Sequence, residues 1–188
     1  MSANRFPRRR FVCFGRSRVG PDDPSARTAE AVGRILGARG IDVLSGGYEG
    51  VMGAVSRGAR EGGGEAIGVT TPIFTAREPN EHLTSHWVEP DYLSRLATLC
   101  RQANGFVALP GALGTLSEWM TTWCLLTIGE AEGPLFLFED PWRPIVEAVL
   151  TLGELDPVHT SHLHWIVEAE DLARALDGGT GDGTGQAT

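Results

Sequence analysis

The chain has 188 residues, enough for one domain with a buried core, and sets 24 acidic against 16 basic side chains for a net charge of -8. All 16 bases are arginine, which excludes a Schiff-base lysine, a pyridoxal phosphate anchor and the lysine of a Walker-A phosphate loop. The acidic balance argues against nucleic acid as a partner, and the absence of any apolar run near the ~18 residues of a membrane span argues against a membrane.

Short apolar runs alternate with longer amphipathic ones along the chain. This is the pattern of a Rossmann-like, doubly wound α/β fold, a parallel sheet with helices on both faces. Residues 1–9 read as an N-terminal extension, and the arginine cluster from Arg5 to Arg10 precedes too short an apolar stretch for a signal peptide. Arg10 to Phe14 (RFVCF) reads as a buried strand and Pro24 to Gly40 as a helix, with Ala29, Val32, Ile35 and Leu36 on one face and Gly37 and Gly40 at its end. Ile41 to Leu44 is a second strand, SGGYEGVMG leads into a helix ending near Glu61, and Ala66 to Val69 is a third strand.

Thr70 to Ser85 lacks periodicity and reads as an excursion over the carboxyl edge of the sheet. His86 to Val88 is a short strand, Asp91 to Ala103 a helix, and Gly105 to Leu109 (GFVAL) a strand. A helix from about Gly114 to Ile128, a strand Leu135 to Phe138, a helix Pro144 to Leu152, a strand Trp165 to Val167 and a helix Ala169 to Leu176 complete the alternation. One domain therefore spans residues 10–177, and 178–188 (GGTGDGTGQAT) reads as a flexible tail. Cys13, Cys100 and Cys124 are too scattered for a disulfide framework and read as reduced core thiols of a cytoplasmic protein.

Open parallel sheets bind ligands where their strands end. Two loops at such ends are rich in glycine: Ser45-Gly46-Gly47-Tyr48-Glu49-Gly50 and Pro110-Gly111-Ala112-Leu113-Gly114-Thr115. Each precedes a helix, so free backbone amides and the positive end of the helix dipole face the loop and can hold a phosphate without lysine. The second loop continues into PGALGTLSE, which puts Glu118 one turn inside the helix. A capping box joining Thr115 to Glu118 is the structural alternative to a functional carboxylate.

PGALGTLSE resembles the PGGxGTxxE motif of the Lonely Guy (LOG) family, phosphoribohydrolases that cleave nucleoside 5′-monophosphates, including cytokinin ribotides, to free base and ribose 5-phosphate. Members are often mislabelled lysine decarboxylases. The resemblance runs from about Phe11 to Leu176 and includes FVCFGRS and SGGYEGVMGAVSRGAREGGGEAIGV. It implies a catalytic pair, the motif glutamate, Glu118, and an arginine on the preceding helix, which spacing puts at Arg95. Gly46, Gly47, Gly50, Gly111, Ala112, Leu113, Gly114 and Thr115 would then bind the substrate phosphate, without metal or cofactor, in a homodimer.

Ala112 departs from the motif's second glycine, and Leu96 stands where a lysine usually follows the arginine. These departures keep a second reading open, a non-catalytic carrier of a nucleotide or of a nucleotide-bearing cofactor such as the molybdenum cofactor. A DNA-processing role on a related fold fits the acidic charge poorly. A pyridoxal-dependent decarboxylase would need a lysine that this sequence does not offer.

Other residues carry weaker signals. His159, His162 and His164 suggest a metal but lack a carboxylate or cysteine at ligand spacing, so they read as a surface or interface loop. Trp119 and Trp123, one turn apart, read as a buried helix face, with base stacking by Trp119 as the alternative. Arg16 and Arg77 are candidate phosphate contacts or solvated loop charges.

Overall fold

The computed structural model describes residues 9–20, 22–152 and 157–178. The expected extension, apart from Arg9, and the expected tail, apart from Gly178, lie outside these residues. Seven strands, β1 (Arg10–Phe14), β2 (Asp42–Ser45), β3 (Ala66–Thr70), β4 (Ser85–Val88), β5 (Gly105–Ala108), β6 (Leu135–Phe138) and β7 (Leu163–Ile166), form one sheet in the order β4-β3-β2-β1-β5-β6-β7. Every pairing is parallel. Phe11 in β1 faces Val43 on one side and Gly105 on the other, and the missing side chain at Gly105 leaves room for the Phe11 ring.

The inner strands are continuous apolar runs because both faces of the sheet are covered. Right-handed crossovers put α1 (Pro24–Ala38) and α2 (Val51–Glu61) on one face. The return from edge strand β4 to β5 puts α3 (Tyr92–Arg101), α4 (Leu113–Thr127) and α5 (Glu139–Leu150) on the other. A short α6 (Pro157–Thr160) follows, and α7 (Ala169–Leu176) packs beside α1, where Arg39 Nε and Nη2 donate to the Asp177 carboxylate at 2.9 and 2.7 Å.

Helix α1 begins where its N-cap Asp23 accepts from the Ser25 amide at 2.8 Å, with Pro24 supplying a preset φ. Its contact with α2 is backbone against backbone. A Cβ on Gly33 would stand 2.1 Å from the Val55 carbonyl oxygen, and one on Gly58 would stand 2.0 Å from that of Glu30. Gly37 and Gly62 repeat the arrangement one turn on, against Ala59 and Arg34. Four of the chain's 25 glycines therefore serve helix packing.

On the opposite face, Trp119 of α4 is fully buried between Trp123 and Trp142, with ring centroids 6.2 and 5.5 Å away. Base stacking by Trp119 is thereby overturned, since the ring presents no surface to a ligand. Trp142 Nε1 donates to the carbonyls of Ala108 and Leu109, both at 3.1 Å, and so fixes the end of β5 where the second glycine loop departs.

Three other expectations need correction. The fifth helix starts at Glu139, five residues before the expected Pro144, with non-helical backbone at Asp140 that absorbs the two following prolines. β7 lies two residues earlier than Trp165, because Leu163 and Trp165 alternate with exposed His164 on a half-covered edge strand. Cys13 and Cys100 are buried, whereas Cys124 is exposed on α4. The close α1–α2 contact generates a stability prediction. Gly58→Ala is expected to lower the unfolding free energy by about 1–3 kcal/mol through overpacking, read as a shift in the denaturant midpoint at unchanged slope.

Candidate functional site

The winding direction of the sheet reverses at β1, with β2 on one side and β5 on the other. Such a switch point opens a crevice at the carboxyl ends of the strands. The loops after β1, β2, β3 and β5 meet there. Leu109 N–H donates to the Phe14 carbonyl at 3.0 Å, and Val51 N–H donates to the Arg16 carbonyl at 3.0 Å, so the first loop is clasped from both sides.

Arg95 of α3 reaches into this edge and is only 3% exposed. Its Nε donates to the Val69 carbonyl at 2.6 Å and its Nη1 to Glu118 Oε1 at 3.1 Å. Its Nη2 occupies the space that a side chain on Gly46 would take, 1.9 Å from where the Cβ would be. One guanidinium thus meets β3, α4 and the loop after β2. Helix α3 presents Arg95 inward because Asp91 caps its start, accepting from Ser94 N–H at 2.8 Å, while Leu96, Leu99 and Cys100 lie against the core. Leu96 is therefore a packing residue.

Glu118 is buried beside Arg95. Burial pushes its carboxyl above the ordinary range, and the charge and hydrogen bond of Arg95 offset only part of that rise. The capping-box alternative fails: Ala112 is the N-cap residue of α4, no side chain caps the helix, and the Glu118 side chain turns to Arg95 instead.

The two glycine loops differ in accessibility. Gly46, Gly47 and Tyr48 are buried, and the loop is sewn down by buried Asn80, whose Nδ2 donates to the carbonyls of Gly47 and Tyr48 at 3.1 Å. Gly50, at φ +79°, lies against the backbone of Ser17 and Arg16, where a Cβ would collide. In the other loop, Ala112, Leu113 and Gly114 are exposed, and a side chain on Gly114 would meet open space. Gly111 must lack a side chain because Thr115 packs beneath it, with Oγ1 2.2 Å from the position of a Cβ.

The remaining candidates separate by their partners. Arg16 Nη2 binds both carboxylate oxygens of Asp23 at 3.0 Å and Ser25 Oγ at 2.9 Å, so its charge is already matched. Arg77 lies over the Phe74 and Tyr48 rings, with Cζ 4.9 and 5.7 Å from the centroids. Among the described residues no group of three or more histidine, cysteine or carboxylate side chains is placed to hold a metal. His164 packs on Phe136 at 5.2 Å, and burial together with His162 lowers its pKa. Tyr48 had no signal of its own in the sequence beyond its place in a glycine loop. No helix among the described residues is long and apolar enough to cross a membrane.

The sequence profile described as possible lysine decarboxylase matches residues 52–178. A cytokinin riboside 5′-monophosphate phosphoribohydrolase of Arabidopsis thaliana is 36% identical over 90% of this chain and 81% of its own. One from Mycobacterium marinum is 34% identical over 61% of this chain, and that match spans 62% of the relative's length, just under two thirds. Among solved structures, the molybdenum cofactor binding protein of Rippkaea orientalis superposes with a TM-score of 0.71 over 92% of this chain and 97% of its own, at 19% identity. That likeness is one of fold. The profile match over more than half of the chain and the sequence relatives show that the protein belongs to the possible-lysine-decarboxylase, or LOG, family.

Proposed function

We propose that the protein hydrolyses the N-glycosidic bond of nucleoside 5′-monophosphates, AMP-like or cytokinin nucleotides, releasing free base and ribose 5-phosphate. The observation that carries this reading is the buried Arg95–Glu118 pair beside the uncapped, exposed start of α4. The names of the sequence relatives support it. In this reading the first-turn amides of α4 at Leu113, Gly114 and Thr115, with Gly111 and Ala112 leading into them, take the 5′-phosphate. The loop of Gly46, Gly47 and Gly50 closes the other side.

The ribose then extends toward Glu118. As the bond between C1′ and the base nitrogen breaks, its electron pair leaves with the base and positive charge spreads over C1′ and the ring oxygen. An ionised Glu118 stabilises that charge in a site from which water is largely excluded. A water oxygen bonds to C1′, and the proton it loses ends on the base. Arg95 holds the carboxylate in place and offers its remaining N–H groups to phosphate or departing base. Nothing in these steps calls for a metal or cofactor.

A second reading is a carrier that binds a nucleotide or a nucleotide-bearing cofactor without turnover. Glu118 already has a partner in Arg95, as a structural ion pair would, and the structural neighbour from Rippkaea orientalis is a molybdenum cofactor binding protein. Exposed Leu93 on α3, Leu113 at the start of α4 and Ile128 just after its end favour a homodimer through this layer.

Three measurements test these readings. Purified protein is expected to release adenine from AMP, and Glu118→Ala to slow release by about 10²–10⁴-fold; nucleotide binding without release, or undiminished release by Glu118→Ala, overturns the hydrolase. Because burial lifts the Glu118 carboxyl, ionisation is delayed as pH rises. The acidic limb of kcat/KM is therefore expected above 4.5, the ordinary glutamate value, and a limb at or below it contradicts the role given to this carboxylate. Light scattering is expected to give twice the 20.1 kDa chain mass, and Leu93→Glu to shift it toward one.

A further inference from the structure

The segment 71–84 contains no helix or strand, yet one of its polar side chains is only 3% exposed. Asn80 Nδ2 donates to the carbonyls of Gly47 and Tyr48, both at 3.1 Å, while its Oδ1 accepts from His82 N–H at 3.1 Å. Its main-chain N–H donates to the Gly47 carbonyl as well, at 2.8 Å. Gly47 and Tyr48 are buried and lie beyond the end of β2 at Ser45, so the donors their carbonyls need have to come from outside the strand. Two donations and one acceptance from one short side chain require a carboxamide, since a serine has a single hydrogen to give and an alanine none.

Arg95 meets this loop on both sides of the residue that Asn80 grips twice. Before Gly47, Arg95 Nη2 lies 1.9 Å from where a Cβ on Gly46 would stand; after it, Arg95 Cζ lies 6.0 Å from the centroid of the Tyr48 ring. Gly47 itself, at φ +78°, packs on β3, where a Cβ would stand 3.1 Å from Gly68 Cα. The remaining nitrogens of Arg95 are aimed elsewhere, Nε at the Val69 carbonyl and Nη1 at Glu118 Oε1. The position of the loop therefore sets how the guanidinium plane lies, and the plane sets how Nη1 meets the carboxylate.

We infer that Asn80 is a positioning residue: it fixes the loop after β2 so that Gly46 and Tyr48 hold the Arg95 guanidinium in register with Glu118. The inference rests on the role given to that pair in the hydrolase reading and adds a residue that acts on the pair through the loop. The excursion between β3 and β4 thereby acquires a task.

Glu118 reports on the arrangement. The titratable groups that face it, Arg95 and the Cys100 thiol, both stand on α3. Burial raises the Glu118 carboxyl and Arg95 offsets part of the rise. A guanidinium no longer seated against the loop offsets less, so the carboxyl then titrates higher.

The test follows that carboxyl in the full chain by carbon-13 NMR across a pH series, which needs no turnover, with the Glu118 signal identified by its loss in Glu118→Gln. The acidic limb of kcat/KM on AMP is measured in parallel. Asn80→Ser and Asn80→Ala keep the main-chain bond to Gly47 and are expected to fold, with cooperative thermal unfolding. Both are expected to raise the Glu118 midpoint by about one pH unit, a shift that a residue serving only to hold the fold together would not produce. A midpoint unchanged or lowered in either variant that folds, or failure of both to fold, overturns the inference. If adenine is released from AMP and the midpoint does not rise, the hydrolase stands and the role of Asn80 falls. If the midpoint rises but the wild type releases no adenine, the hydrolase falls and the positioning of Arg95 by Asn80 stands.

Discussion

The organisation of the carboxyl edge depends on one buried cation. Removing a guanidinium from water costs several kcal/mol even after relaxation, and the loss is offset only where the geometry satisfies its donors. Arg95 meets that condition in part, donating to the Val69 carbonyl at the end of β3 and to Glu118 on α4, with its Nη2 seated in the hollow left by Gly46 after β2. The same charge that holds these elements together keeps a carboxyl from being buried alone. Either residue without the other would be an uncompensated desolvated group, so the pair behaves as a unit in folding.

The two glycine loops flanking this cation have different physical tasks despite their similar appearance. The loop through Gly46 and Gly47 is buried and has its carbonyls satisfied by Asn80, so it is a wall that gives Arg95 room. The loop through Gly111 and Gly114 is exposed and ends at a helix start that no side chain caps. Uncapped amides in a crevice are costly unless water or a ligand completes them. The asymmetry leaves free amides on the α4 side of the cation and a closed wall on the other.

Much of this architecture is legible in the residues. RFVCF, GFVA and LFLF read as buried strands because a sheet covered on both faces needs unbroken apolar runs. The limits have equally physical origins. LHWI sits on an edge strand, where half-burial mixes polar and apolar positions, and its start shifts by two residues and its end by one. Pro144 signals a helix start at the wrong place, since the helix begins before it and takes this proline inside, beyond the non-helical Asp140. Gly33, Gly37, Gly58 and Gly62 look like punctuation until the helices they bring together are seen. Arg95 is a helix arginine that reads as solvated by composition alone, and only the motif spacing singles it out. That a missing side chain at Gly46 exists for an arginine 49 positions later has no local trace.

The choice of arginine over lysine follows from this geometry. An ammonium is a compact, strongly hydrated point charge, whereas a guanidinium presents five donors in a rigid plane and sheds its water more readily. Arg95 uses that plane to address a carbonyl and a carboxylate from different nitrogens while standing 6.0 Å from the centre of an aromatic ring. Arg16 does a smaller version of the same, holding Asp23 and Ser25 and so fixing the first loop to the start of α1. A lysine at residue 95 could reach one of these partners but could not span them, and the edge would lose its common tie. In a chain whose 16 cations are all arginine, an exposed helix start with a buried fork behind it brings backbone amides and a planar cation to one edge of the sheet.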